Sequence, residues 1–413
     1  MGSFSSPLSG LMAAQEQLQT VSNNLANMNT DGYKDQTLTF ADIFAQTGST
    51  NGAGDPMQTG AGVTVSSTVS NFTEGDLNAT GTASNMAISG NGFFVTQSSD
   101  GSVQFTRTGD FTTNDDGQLT SPSGDLLMGY PAVDGVVNTS APLQALQVGT
   151  GVAIPAQAST TVTITANLDS DDAVGGSGTS SSLPVYDSLG SAHTLSVSYT
   201  KTGANTWTYT VTVPSTDITG GKGTNTTVGS GQLNFSDAGT LTSITNVVPI
   251  SISNLSDGAS SMTLSGPFGT ATNPTITQTA SADATSATYT DGFSGGTLST
   301  YAVQPNGIIE GTFSSGKTLA LGQVALASFA NVQGLVATGN NNYLPSAASG
   351  SPVIGLAGTG GRGTVVGGSV EESNVDIAAE FAKLIVAQQA YSANAKSITT
   401  FNQVSQATLQ MIQ

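Results

Sequence analysis

Both ends of the chain carry apolar residues at helical spacing, and this feature restricts its possible folds more than any other. Near the start, Leu11, Ala14, Leu18, Val21, Leu25 and Met28 recur at alternating intervals of three and four, the a/d seam of a heptad pattern. Near the end, Ile377, Phe381, Leu384, Gln388, Tyr391, Ala395, Ile398, Asn402, Ser405, Leu409 and Ile412 repeat that alternation with polar residues intruding. Ile385, Phe401, Val404 and Met411 fall off this seam, so the second helix is apolar on more than one side. From Leu384 to Gln413 the only charged residue is Lys396. A single partner helix cannot cover such a surface, which points to packing against other copies of the chain. An antiparallel pair within one monomer, or a dimeric coiled coil, stays open on pattern alone.

The helix boundaries can be read from local chemistry. Ser373 with Asp376 three residues on suggests a capping box, with Glu371, Glu372, Asp376 and Glu380 near the positive end of the helix dipole. The first helix should stop near Asn27–Gly32, where Asn-Met-Asn-Thr-Asp-Gly supplies terminating residues.

Between the helices the chain reads as β. Short apolar runs bounded by Gly-Asn-Gly or Asp-Asp-Gly, such as Met86–Val95, are hairpin signals. From about Val148 to Ala287, Thr and Ser dominate. Strict alternation in Thr161–Thr165, Leu195–Tyr199 and Trp207–Val213 predicts strands with one buried and one solvated face. The expected fold class is mixed α+β: mainly β domains, sandwich- or barrel-like, nested between N- and C-terminal helices that pair in a coiled-coil-like inner domain. The expected division is 1–30 with 371–413 as helical inner core and 31–70 as an extended connection. A middle β domain takes 71–146 with 288–370, and an inserted outer β domain takes 147–287.

Composition narrows the function. Charged residues are 8% of 413, against roughly a quarter in ordinary domains, as in surfaces consumed by contacts between copies. The net charge is −19 and the eight basic residues are scattered, so no patch can neutralise several phosphates and nucleic-acid binding is not expected. No run of about 18 apolar residues suggests membrane insertion. Cysteine is absent, which removes disulfides and thiol chemistry. The N-terminus shows no basic start followed by an apolar stretch, so a cleaved signal peptide is not expected.

No catalytic or cofactor site emerges. His193 is the only histidine, so neither a Ser–His–Asp triad with a second candidate nor a multi-His metal site can be built, and packing or surface duty is expected for it. The glycine-rich stretches Gly90–Gly92 and Gly358–Gly363 lack the Gly-Lys-Ser/Thr of a nucleotide loop. Asp115–Gly117 and Asp169–Asp172 have a composition that can bind Ca²⁺ but is usually only a turn. Carboxylate pairs for glycoside hydrolysis find little support, because the acids sit in loops and the lone Trp207 offers little sugar stacking.

Four blocks then carry a resemblance. Ser22-Asn-Asn-Leu-Ala-Asn-Met-Asn-Thr-Asp-Gly-Tyr-Lys34 is similar to the S-N-N-x-A-N-x-N-T-x-G-Y-K signature of the bacterial flagellar rod and hook axial proteins. Gln388–Ile398 resembles the Q-x-x-Y-x-x-N-A-K-x-I helix of that family. Ile88–Val95 and Phe105–Phe111 resemble its shared β domain. The insert, with Leu183–Leu195, Lys201–Tyr209 and Gly231–Phe235, looks like the outer domain of hook members, which shorter distal rod members lack.

The resemblance implies a non-enzymatic hook subunit that self-assembles into a curved hollow helical tube, a universal joint between rod and filament. It implies terminal helices lining the core and β domains outside. Leu11, Leu18, Val21, Leu25, Phe381, Leu384, Tyr391, Ile398, Leu409 and Ile412 would pack the inner tube. Asn27, Asn29, Thr30, Gly32 and Tyr33 would shape the exit from helix to β domain. Implied partners are further copies, distal rod, hook cap and hook–filament junction proteins, and the flagellar type III export apparatus. The implied place is extracellular, with no cofactor. A distal rod subunit and a secreted β-rich adhesin are the competing readings.

Overall fold

A computed structural model describes residues 5–43, 46–50, 56–149, 151–270 and 272–411. The fold is mixed α+β, mainly strands enclosed in sequence by two helices, α1 (Ser5–Ala26) and α2 (Ile377–Met411). These pack against each other antiparallel: Gly10 faces Asn394, and Asn24 bonds Glu380. The chain divides into two compact units. One comprises Met1–Gly149, Thr300–Gly311 and Leu319–Gln413, the other Thr150–Ser299 and Thr312–Thr318.

In the first unit, α1 lies on α2 and also on an antiparallel pair of strands, Gln36–Asp42 with Val63–Ser70. The stretch expected as an extended connection thus contains a ladder that seats the helix. The returning C-terminal segment is stitched to the segment that follows this ladder. Thr364–Gly367 pairs with Met86–Ser89, and Ser369–Glu371 pairs with Leu77–Ala79. Phe93–Gln97 and Val103–Thr106 form a hairpin whose inner residues feed two cores. One holds Met86, Ile88, Phe94, Phe111 and Leu127. The other holds Phe93, Val95, Phe105 and Tyr343. Edge-to-face contacts at 4.9–5.9 Å among Phe72, Phe93, Phe105, Phe329 and Tyr343 fix the second core in one arrangement.

The second unit follows from its alternation. Five strands (Ser177–Tyr186, Ala192–Gly203, Thr206–Pro214, Asn225–Phe235 and Leu241–Val248) form an antiparallel meander. Val162–Asp169 is the middle of a three-stranded sheet between Ile276–Thr279 and Ala284–Thr290. Val162, Ile164, Leu168, Leu195, Val197, Tyr199, Trp207, Tyr209 and Val211 all point into one core, while the intervening Thr and Ser face out. Trp207 is fully buried, its indole N–H donating to Gln278 Oε1 at 2.9 Å. It is therefore closed to any sugar. The Asp169–Asp172 turn closes on a side chain of the protein itself: Lys201 Nζ donates to the Ser170 and Asp172 carbonyls at 2.5 and 2.9 Å.

Candidate assembly surface

The contact between the helices is built from small residues. Ala13 and Ala14 on α1 and Ala387 on α2 are buried. A Cβ on Gly10 would stand 2.9 Å from the Asn394 amide, so glycine sets the approach there. Val21 is buried beside them, and Leu11, Leu18 and Leu25 are half-buried. On α2 the inward stripe is Glu380, Leu384, Ala387, Asn394 and Ile398. The heptad series read from the sequence meets this stripe only in part. Its members Leu384 and Ile398 are half-buried, whereas Phe381, Tyr391 and Leu409 are exposed. Ile412 lies outside the described residues.

This leaves most of α2 bare. With 35 residues it is about 52 Å long, against about 33 Å for the 22 residues of α1. The pairing of Gly10 with Asn394 exhausts α1 near residue 399, and every described position from 401 to 411 is exposed. Exposed apolar side chains also stand on the faces that α1 does not touch. Phe381 (48%) and Ile385 (57%) share one line, four residues apart. Val386 (64%) and Val404 (58%) share another, five whole turns apart. A groove of about 500 Å³ follows Ala393, Lys396, Ser397, Thr400, Phe401 and Val404. In water a helix this long and this uncharged is unfavourable without cover.

A joint holds the helices to the β framework. Asn24 is fully buried and its amide is satisfied on every side. Its Oδ1 accepts from the Tyr33 hydroxyl at 3.1 Å and the Gln36 amide at 2.9 Å. Its Nδ2 donates to the Gln36 carbonyl at 2.8 Å and Glu380 Oε2 at 3.2 Å. One side chain thus ties α1, its exit and α2 together. Asn27 Oδ1 accepts from the Thr30 hydroxyl at 3.2 Å, the Thr30 carbonyl accepts from the Tyr33 amide at 3.2 Å, and Asn29 is exposed. Gly32 has φ +69°, and a Cβ there would meet Thr108 N at 2.7 Å, so only glycine fits the turn.

Below the turn lies a buried ionic cluster. Glu371 Oε1 accepts from Lys34 Nζ at 2.5 Å and from the Gly75 amide at 2.9 Å; its Oε2 is 3.3 Å from Arg107 Nη1. The Glu371 carbonyl accepts from the Gly32 amide at 2.7 Å. Arg107 also donates to the Ile88 and Gly90 carbonyls at 3.1 and 2.7 Å. Burial, partly offset by Glu371, holds the Lys34 ammonium below the ordinary lysine range. Burial likewise pushes the phenols of Tyr33 and Tyr343 up to about 12.

Two expectations are corrected. The cap of α2 is Asp376, three residues beyond Ser373, and its Oδ1 accepts from the Ala378 and Ala379 amides at 2.9 and 3.1 Å. Glu371 does not serve the helix dipole, because it belongs to the strand Ser369–Glu371 and pairs with Lys34. Sequence reasoning missed Asn24 and Glu371 as members of the joint. Asn24 stood within the Ser22-Asn-Asn block, where an uncharged amide inside a helix end was the available signal.

Matches to known proteins follow the same layout. Residues 7–34 match the family described as flagella basal body rod protein, and 87–167 the flagellar hook protein FlgE/F/G D1 domain. Residues 155–293 match the flagellar basal body protein FlaE D2 domain, and 366–411 the flagellar basal body rod FlgEFG protein C-terminal family. The flagellar hook protein FlgE of Escherichia coli K12 is 35% identical over 417 residues, covering 97% of this chain and 98% of that protein. That of Salmonella typhimurium is 34% identical over 418 residues, with the same coverage. That of Treponema pallidum is 32% identical over 456 residues, covering 97% of each. In fold, the crystal structure of Helicobacter pylori flagellar hook protein FlgE2 superposes with TM-score 0.53 at 15% identity, covering 70% of this chain and 98% of that one.

Proposed function

The chain belongs to the flagellar hook protein family, and on that premise we propose that it is a structural subunit that polymerises into the hook through the uncovered faces of α2. The observation that carries this reading is the row of exposed Phe381, Ile385, Val386, Val404 and Leu409 on a helix only partly covered by α1. In the polymer, neighbouring copies bury this surface, and the paired helices supply the inner wall of a hollow helical tube. Leu11, Leu18, Val21 and Leu25 fix α1 on its partner, while Phe381, Tyr391 and Leu409 face other copies. Asn27, Asn29, Thr30, Gly32 and Tyr33 set the exit from α1. Curvature, and rotation about it as a universal joint, follow from sliding contacts between β units of successive copies. Distal rod, cap and junction proteins are the proposed neighbours at the tube ends. Export through the flagellar type III apparatus and an extracellular place in the flagellum complete the reading. The role requires no catalytic residue and no cofactor.

A distal rod role fits less well, since the rod-family matches cover only the terminal segments while hook proteins align along the whole chain. An adhesin role leaves the terminal helices without purpose. The test is deletion of residues 377–413, followed by electron microscopy under conditions where the full chain forms fibres. Loss of fibres with the β units still folded supports the proposal. Tubes from the truncated chain overturn it.

A further inference from the structure

The only histidine of the chain sits inside a carboxylate cage in the second unit. Strand alternation places His193 on the inner face with Leu195, Val197 and Tyr199, at the end of that strand where three turns converge. Its side chain is 7% exposed. Asp187 Oδ2 lies 3.0 Å from Nε2, Asp217 Oδ2 lies 3.0 Å from Nδ1, and Asp257 Oδ2 lies 3.9 Å from Nε2.

Each carboxylate is aimed by its own turn. Asp187 Oδ1 accepts from the Leu189 and Ser191 amides at 2.7 and 3.0 Å, and Asp257 Oδ1 accepts from the Ala259 amide at 3.0 Å. Asp217 Oδ1 accepts from the Thr216 hydroxyl at 3.2 Å. Asp187 and Asp217 turn Oδ2 to the ring as hydrogen-bond partners, while Asp257 Oδ2 stands further off, on the Nε2 side beside Asp187. A single imidazole thus stands among three carboxyl groups. Among the described residues no lysine or arginine is paired with these carboxylates.

We propose that His193 Nε2, Asp187 and Asp257 form a binding site for a divalent first-row transition ion, with Zn²⁺ as the representative. The three ligand atoms lie within 4.8 Å of one another. Ligand atoms about 2.1 Å from a tetrahedral zinc stand roughly 3.4 Å apart, and the separations of 3.0 and 3.9 Å from Nε2 bracket that value. Asp217 would hold the proton on Nδ1, while the ion takes the Nε2 lone pair and releases to solvent the proton that Nε2 shares with Asp187. Water completes the coordination on the Asp257 side, which is open to solvent. A nitrogen ligand favours zinc, nickel or copper over magnesium and calcium. The ion would fasten the turns at 187, 217 and 257 into one body, stiffening this end of the unit. The site is hidden in the sequence because its members come from three separate turns.

A lone histidine makes the test free of assignment. The full chain, labelled with ¹⁵N and held at concentrations where it is monomeric, is titrated with ZnCl₂ while the imidazole nitrogens are followed by NMR. The expected result is saturation at one equivalent, with one ring nitrogen moving to a metal-bound shift and the other remaining protonated. Asp257→Asn, at an exposed position, should weaken Zn²⁺ at least tenfold by calorimetry while keeping the metal-free unfolding midpoint. A tenfold excess of Mg²⁺ should not compete. Imidazole signals unmoved by one equivalent of Zn²⁺, an Asp257→Asn variant that binds as tightly as the parent, or equal competition by Mg²⁺ would each overturn the assignment.

Discussion

Glu371 joins several segments of the first unit: its carboxylate oxygens reach Lys34, Gly75 and Arg107, and its backbone carbonyl accepts from Gly32. Removing it leaves Lys34 and Arg107 charged and buried with one partner fewer. Breaking a buried pair from one side costs about 3–5 kcal/mol. Glu371→Ala should therefore lower the stability of the first unit by about that amount in chemical denaturation, whereas Glu372→Ala, at an exposed position, should change it little. The tyrosines give a second check. Tyr33, Tyr199 and Tyr343 are raised to about 12 by burial, with nearby Asp35 and Glu380 adding to the effect at Tyr33. Their contribution to stability is complete below about pH 10 and is lost as pH rises toward 12, because the unfolded chain sheds phenolic protons that the folded chain keeps. An ultraviolet titration should show four of the nine tyrosines, these three and Tyr209, which burial also raises, ionising late, together with unfolding.

At the scale of elements, the helices show what a sequence reveals and what it conceals. The apolar periodicity of Leu11 to Leu25 and the Thr/Ser alternation around Trp207 both correspond to structure, since each pattern is local and one face decides it. The face of α2 that meets α1 was legible only in part from its large apolar residues, through Leu384 and Ile398. That contact uses Ala13, Ala14, Gly10, Ala387 and Asn394, chosen for close approach and not for hydrophobic area. Nor could the joint be read, because Lys34 and Glu371 are 337 residues apart and no spacing rule links them. The sequence suggested Ser373 as the cap, and the amide directions give that place to Asp376. The close approach yields its own prediction. Gly10→Leu must displace Asn394 or part the helices, at about 1–3 kcal/mol. It should lower the unfolding midpoint of the helix pair, read by circular dichroism, while leaving the second unit unchanged.

The molecule as a whole combines two units, the first with two cores and the second with one, and a helix whose apolar surface exceeds what one chain can cover. The low charge content fits the same account, since charges are disfavoured where copies pack. The most direct test changes the bare faces of α2 without touching its contact with α1. Ile385→Ser and Val404→Ser together alter residues 57% and 58% exposed, so the folded monomer should keep its unfolding midpoint. Electron microscopy under polymerising conditions should then show tubes from the parent chain and none from the double variant. Tubes of equal length and number from both would contradict the claim that these faces drive assembly.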